Sequence, residues 1–246
     1  MFFPIFLNTI VMLLMVIIAL FLVNQNRRPF FALLFLVVYL VDGIVNILPF
    51  VFDFQPEGLI YNWIGQSLKI AWVLIFLWLC PLKAKDIGLT FKQRSGTILP
   101  AVLVTIGVIA FKVVLTALFS ASPPGELLLE TVLFQIIMPP LAQELLHSGL
   151  LLSLMIIALG GTEIDQKFEW NRVIVLAVIL TAVSHGIKFG LRFDAGLQFN
   201  FIVFLTPFIG KLVYAWLRLS TGSLLFPILA YSLSNLGVLF IPYLLI

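Results

Sequence analysis

The chain has 246 residues, 62% of them hydrophobic and 10% charged, with a net charge of +3 and a mean hydropathy of +1.19. A soluble domain is about half apolar and about a quarter charged, so a water-dissolved fold is excluded and lipid must be the solvent for most of this chain. Cys80 is the only cysteine, which excludes an intramolecular disulfide and a zinc–thiolate cluster.

A membrane span needs roughly 20 mainly apolar residues at about 1.5 Å rise each. By that measure the sequence predicts about eight helices, over 3–23, 30–52, 59–80, 97–119, 126–158, 171–189, 199–219 and 222–246. The expected fold is an all-α polytopic bundle, multi-pass in a membrane (the cell membrane if the source is bacterial). The start, Met1-Phe2-Phe3-Pro4, has no basic region and no small-residue cleavage site, so the first run reads as a retained anchor. The fifth run is too long for a simple span and contains Pro139-Pro140. Each proline lacks an N–H and clashes one turn back, so a kink or restart is expected there, with Glu144 near a fresh helix N-terminus.

Charge in the loops alternates. Arg27, Arg28, Lys83, Lys85, Lys92, Arg94, Lys167, Arg172 and Arg218 follow the odd-numbered spans. The other loops hold Asp53, Glu57, Glu126 and Asp194, with Lys188 and Arg192 as cations. Lys and Arg collect in cytoplasmic loops, which places both termini on the opposite side. The net positive charge is therefore topological; the bilayer is a partner and a nucleic acid is not.

Polar side chains at membrane depth are costly and informative. Asp42 and Asn46 lie one turn apart in the second span, Lys69 in the third, and Lys112, Glu130 and Lys211 in the fourth, fifth and seventh. Their plainest reading is structural: interhelical pairs such as Asp42 with Lys69, or lysines reaching the interface. A second reading is a proton or ion relay in a small transporter.

Another cluster follows the double proline. Glu144 and His147 are spaced i, i+3, which puts them on one side of an α-helix. The other histidine, His185, ends the sixth span, and Asn235 lies in the polar run Tyr231-Ser232-Leu233-Ser234-Asn235 of the eighth. A glutamate and histidines converging from separate helices can activate a water or hold a metal. A hydrogen-bonded core that only fixes packing would have the same composition. Gln143-Glu144-Leu145-Leu146-His147 also approaches the zincin H-E-x-x-H, but lacks the first histidine of the metal pair.

At these residues the sequence resembles the CPBP family, the CAAX-protease and bacteriocin-processing (Abi) intramembrane peptidases. Pro140 through Gly149 is similar to the family's first motif, a proline followed by EExxxR and glycine. His185 falls on the histidine of FxxxH. Ser220-Thr221-Gly222-Ser223-Leu224, Pro227-Ile228-Leu229-Ala230 and Asn235 resemble the third region, TGSL then PILxHxxxN, and Asp86-Ile87-Gly88-Leu89-Thr90 resembles a loop preceding the conserved part. The resemblance divides the chain into N-terminal transmembrane helices, 1–96, and a peptidase-like core, 97–246. It implies an eight-helix bundle around a glutamate-activated water, with histidines and the asparagine completing the site.

Four positions depart from the motifs. Gln143 stands for the first glutamate, Ser148 for the arginine, Thr181 for the phenylalanine and Tyr231 for the third-motif histidine. An amide cannot act as a general base, and a phenol is a poor one at neutral pH. Two expectations follow from the resemblance. In one, activity is lost or altered and the old cleft binds a membrane protein or peptide. In the other, Glu144, His147 and His185 form a relocated endopeptidase site, with Asn235 or Tyr231 steadying the oxyanion. Any metal would be zinc on Glu144, His147 and His185; the reading preferred is a site with no cofactor.

Overall fold

Every apolar run of the sequence forms a helix. The structure is a computed structural model describing residues 3–23, 27–54, 60–80, 82–119, 128–161, 170–192 and 198–244, without the side chains of 188–192 and 202. Helices α1 (Phe3–Leu22), α2 (Pro29–Val51), α3 (Trp63–Leu79) and α4 (Ile98–Phe119) are the first four spans. The fifth is α5 (Leu129–Gln143), a π-helical stretch (Glu144–Leu151) and α6 (Leu152–Ala158) in one unbroken rod. Then come α7 (Arg172–Gly190), α8 (Phe201–Thr221) and α9 (Leu225–Leu244). Five of these rods are long and apolar enough to cross a membrane, α3 and α7 are shorter apolar helices, and α8 carries Lys211 and Arg218 within its length. The chain is thus a multi-pass integral membrane protein built from helices. One small addition to the all-α expectation is a two-residue antiparallel pairing, β1 (Leu191–Arg192) with β2 (Gln198–Phe199). Met1, Phe2, Glu57, Glu126, Lys167 and Asp194 lie outside the described residues.

The rod Leu129–Ala158 is the axle of the bundle: 83% of its apolar window is buried, against 11–28% for the other four long spans. Helix α1 shows the opposite case. It buries only Asn8, Met12, Val16 and Ala19, one stripe at helical spacing, and turns its other faces outward to lipid. Lipid tails are as apolar as leucine, so close packing and polar contacts hold such helices together. Lys69 and Asp42 supply one such contact, a buried ion pair of 3.0 Å between α3 and α2, as the structural reading of these charges expects.

The basic loops meet at one end of the bundle. The Arg28 amide donates to Ala158 O at 2.9 Å, and the Arg94 amide to Thr221 O at 2.9 Å. Loops after the first, third, fifth and seventh spans therefore share a side, as strict alternation of eight spans requires. Their keystone is Arg218, 1% exposed. Its Nε donates to Ile87 O and its Nη2 to Asp86 O, both at 2.9 Å. Ser153 donates to Asp86 O, and Leu224 N to Gly88 O at 2.8 Å. The Asp86–Thr90 loop is a plug that ties α6, α8 and α9 together. At the other end the Glu130 carboxylate accepts from the Ile60 and Tyr61 amides and from Trp63 Nε1. Glu130 clamps a loop, and Asp42 pairs with Lys69.

The double proline does not break its helix. Without N–H groups on Pro139 and Pro140, the carbonyls one turn earlier, Gln135 and Ile136, lose their helical donors. Helix α9 supplies replacements: Asn235 Nδ2 donates to Gln135 O at 2.9 Å, and Ser232 Oγ to Ile136 O at 2.7 Å. The rod then widens into the π-helical stretch beginning at Glu144. Glu144 consequently lies mid-rod, not at a fresh N-terminus, which corrects the expectation from the sequence.

Candidate active-site cavity

Motif residues from α5, the π-helical stretch, α7 and α9 surround one region of the bundle. Glu144 and His147 are 0% exposed, and His185 is 5% exposed. A π-helix turns less per residue than an α-helix. Position i+3 therefore no longer returns to the same face, whereas i+4 does. Accordingly it is the Ser148 hydroxyl that donates to Glu144 Oε2. The other oxygen, Oε1, is engaged by the Lys211 ammonium from α8, which also lies 3.4 Å from Gln143 O. A charge near the centre of a span costs about 2.5–3.5 kcal/mol on insertion scales; the two charges answer each other. Ser148 occupies the place where the first motif carries an arginine, and Lys211 brings a cation to the carboxylate from another helix.

His147 meets its counterpart elsewhere. The His147 and His185 rings pack edge to face with centroids 4.6 Å apart. The structure brings the two imidazoles together and directs both oxygens of Glu144 to Ser148 and Lys211. This donor set does not suit zinc, because an ammonium already holds the carboxylate that would be its anionic ligand. Among the described residues no group of three His, Cys, Asp or Glu side chains is arranged to hold a metal ion.

Beside these groups lies a cavity of about 350 Å³, lined in part by His185, Lys112, Lys211, Tyr214, Tyr231 and Asn235. Tyr214 and Tyr231 stack at 5.5 Å, and Lys112 donates to the Tyr214 hydroxyl at 2.8 Å while lying 4.9 Å from the Tyr231 ring centre. Tyr231 therefore replaces a histidine by an aromatic face for ammonium groups. Asn235 reaches the cavity, but its amide nitrogen is committed to Gln135 O and lies 3.4 Å from Gln135 Oε1. Thr181 donates to Ala177 O within its own helix and is buried. Gly149 lets the π-helical stretch approach the plug: a Cβ there would lie 3.2 Å from Ile87 O.

Lys112, Lys211 and Tyr214 complete the cavity, although the sequence points to them only weakly. The signal for the lysines is a charge at mid-span requiring a partner. Tyr214 has none, because a tyrosine in an apolar helix is commonplace. Asn235→Ala should leave the Gln135 carbonyl without its donor in the bundle interior and destabilise the protein by about 1–3 kcal/mol. Thermal unfolding in detergent measures this; an unchanged midpoint would mean the carbonyl is satisfied otherwise.

Among family models, one described as type II CAAX prenyl endopeptidase Rce1-like matches residues 124–237. This stretch, a little under half of the chain, is similar to that endopeptidase family and consistent with a CPBP-type domain. The match spans the double proline, the Gln143–Gly149 motif, His185 and Asn235, in the order the resemblance requires. No curated protein and no solved structure matches the chain. The match supports a CAAX-type, endopeptidase-like membrane protein, in which His185, Tyr231 and Asn235 line the cavity together with two lysines.

Proposed function

We propose that this protein is a non-hydrolysing member of its family that holds a membrane peptide, or a transmembrane segment of a partner protein, in the cavity beside Tyr231 and Asn235. The basic end of the bundle would face the cytoplasm, following the distribution of Lys and Arg. The observation that carries the reading is the state of the one remaining motif carboxylate. Glu144 is buried, its oxygens engaged by Lys211 and Ser148, while Gln143 holds the position of the usual base. Loss of a general base removes about 10²–10⁴ of rate, and among the described residues no carboxylate lines the cavity to replace it.

Benzoylphenylalanine in place of Tyr231 tests the binding half. Irradiation in native membranes should yield a discrete covalent adduct with one polypeptide, lost when the photoreactive group is moved to lipid-facing Phe111. Adducts with lipid alone would overturn partner binding. One observation favours a second reading, active hydrolysis: the His147–His185 contact, with His185 opening to the cavity. That reading requires peptide cleavage that Glu144→Gln abolishes.

A further inference from the structure

Lys112 stands out among the charges at membrane depth. Asp42 balances Lys69, and Glu144 balances Lys211. Lys112 donates to the Tyr214 hydroxyl and lies near two aromatic rings, with no carboxylate among its described cavity neighbours. The Glu144 charge also acts on Lys112, so among the described residues two ammonium groups share one carboxylate and leave a single positive charge at this point of the bundle.

The surroundings of Lys112 are graded in polarity. On one side it borders the cavity with Tyr231 and Asn235. On the other it borders an apolar cleft of about 360 Å³ between α4 and α8, lined in part by Val104, Val108, Phe111, Ile209 and Val213. Val104 and Val213 also line a second apolar cleft of about 400 Å³, which reaches Trp170, Trp216 and the first turns of α7. An ammonium thus stands at one end of two adjoining apolar clefts along α4 and α8, which share Val104 and Val213. From Lys112 to Val104 the first cleft follows eight residues of helix, about 12 Å at 1.5 Å each.

We propose that these clefts bind a long-chain carboxylate, a fatty acid, with its head group on Lys112 and its chain along the α4–α8 cleft towards Trp170 and Trp216. Charge favours a monoanion, since one carboxylate neutralises the single unbalanced ammonium. Two adjoining apolar clefts following the same pair of helices favour an extended alkyl chain. This site goes beyond partner binding and does not depend on it: a fatty acid can occupy the cleft whether or not a polypeptide enters the cavity.

The test uses the full-length protein in detergent micelles and dibromostearate, whose bromines quench tryptophan on contact. Dibromostearate should quench saturably in wild type and lose at least tenfold in affinity in Lys112→Met, with recovery in Lys112→Arg. Trp216→Phe should remove most of the quenching without removing competition by unlabelled stearate. Dibromostearyl alcohol, equal in chain and lacking charge, should bind wild type no better than Lys112→Met. Equal affinity of acid and alcohol, or of wild type and Lys112→Met, would overturn the proposal. Tighter saturable binding of brominated phosphatidylglycerol than of the fatty acid would overturn it in favour of a phospholipid. Failure of any of these arms leaves the Tyr231 photoadduct unchanged, so the two proposals are separable.

Discussion

Lys211→Met should lower stability by about 3–5 kcal/mol, the cost of breaking a buried ion pair from one side. The cause is not the lost attraction itself. Glu144 is 0% exposed, so removing Lys211 leaves a buried carboxylate that has lost its ammonium and keeps the Ser148 hydroxyl as a donor. For a chain of this size the thermal midpoint in detergent should fall by roughly 10 °C. Glu144→Gln in the same background should restore most of it, because the amide oxygen can still accept from Ser148 and no charge remains to be matched. A double-mutant cycle reads the coupling. Simple addition of the two single losses would show that Lys211 and Glu144 do not form the pair. Lys112→Met should remain folded, since the direct contacts Lys112 gives up are a hydroxyl and two aromatic rings.

Gly88→Ala should be nearly as damaging, at the basic end of the bundle. Gly88 has φ +79°, and a Cβ there would fall 2.1 Å from Arg218 Nε and 2.5 Å from its Cζ. The left-handed backbone alone costs an L-residue about 1–2 kcal/mol. Displacing the guanidinium adds the loss of its bonds to the Asp86 and Ile87 carbonyls, each about 1–3 kcal/mol when a buried acceptor is stranded. Gly96 is the matched control, because it has φ +75° and an added Cβ would meet nothing within 4 Å. Gly96→Ala should show only the backbone penalty. Equal losses at both positions would mean that the plug does not depend on Arg218.

Much of this architecture is legible in the residues. Hydropathy marks all eight spans within a few residues of their observed ends, because in lipid an apolar run of that length has no other stable backbone arrangement. The alternation of Arg and Lys places four loops at one end, and the hydrogen bonds of Arg28, Arg94 and Arg218 assemble them there. Asp42 and Lys69 pair because each is costly alone. The double proline is harder to read. Proline chemistry foretells lost helical bonds at Gln135 and Ile136, but not that Asn235 and Ser232, about a hundred residues later, make them good. A restart near Glu144 is the natural expectation until those distant donors are known. The π-helical stretch is equally hidden: an i, i+3 spacing marks a shared face only if the helix is α, and the sequence does not foretell that the Ser148 hydroxyl donates to Glu144. Lys211 is visible as a charge in an apolar helix, but its partner is identified only by the packing of α8 against the central rod.

Asn235 has a structural task beside its place in the cavity lining. It serves the helix that carries the motif, and its loss should appear first in stability. The same holds for Ser148, whose hydroxyl, together with the Lys211 ammonium, accounts for both oxygens of the carboxylate. The resulting cavity is cationic and aromatic.

The most direct test of a binding cavity without hydrolysis is the mass of a membrane-spanning peptide library after incubation with the full-length protein in proteoliposomes. Wild type and Glu144→Gln should both leave every peptide intact to the same extent as empty vesicles. Peptide fragments produced by wild type and absent with Glu144→Gln would contradict a non-hydrolysing cavity, and would make Glu144 the base of a working peptidase despite Lys211 and Ser148.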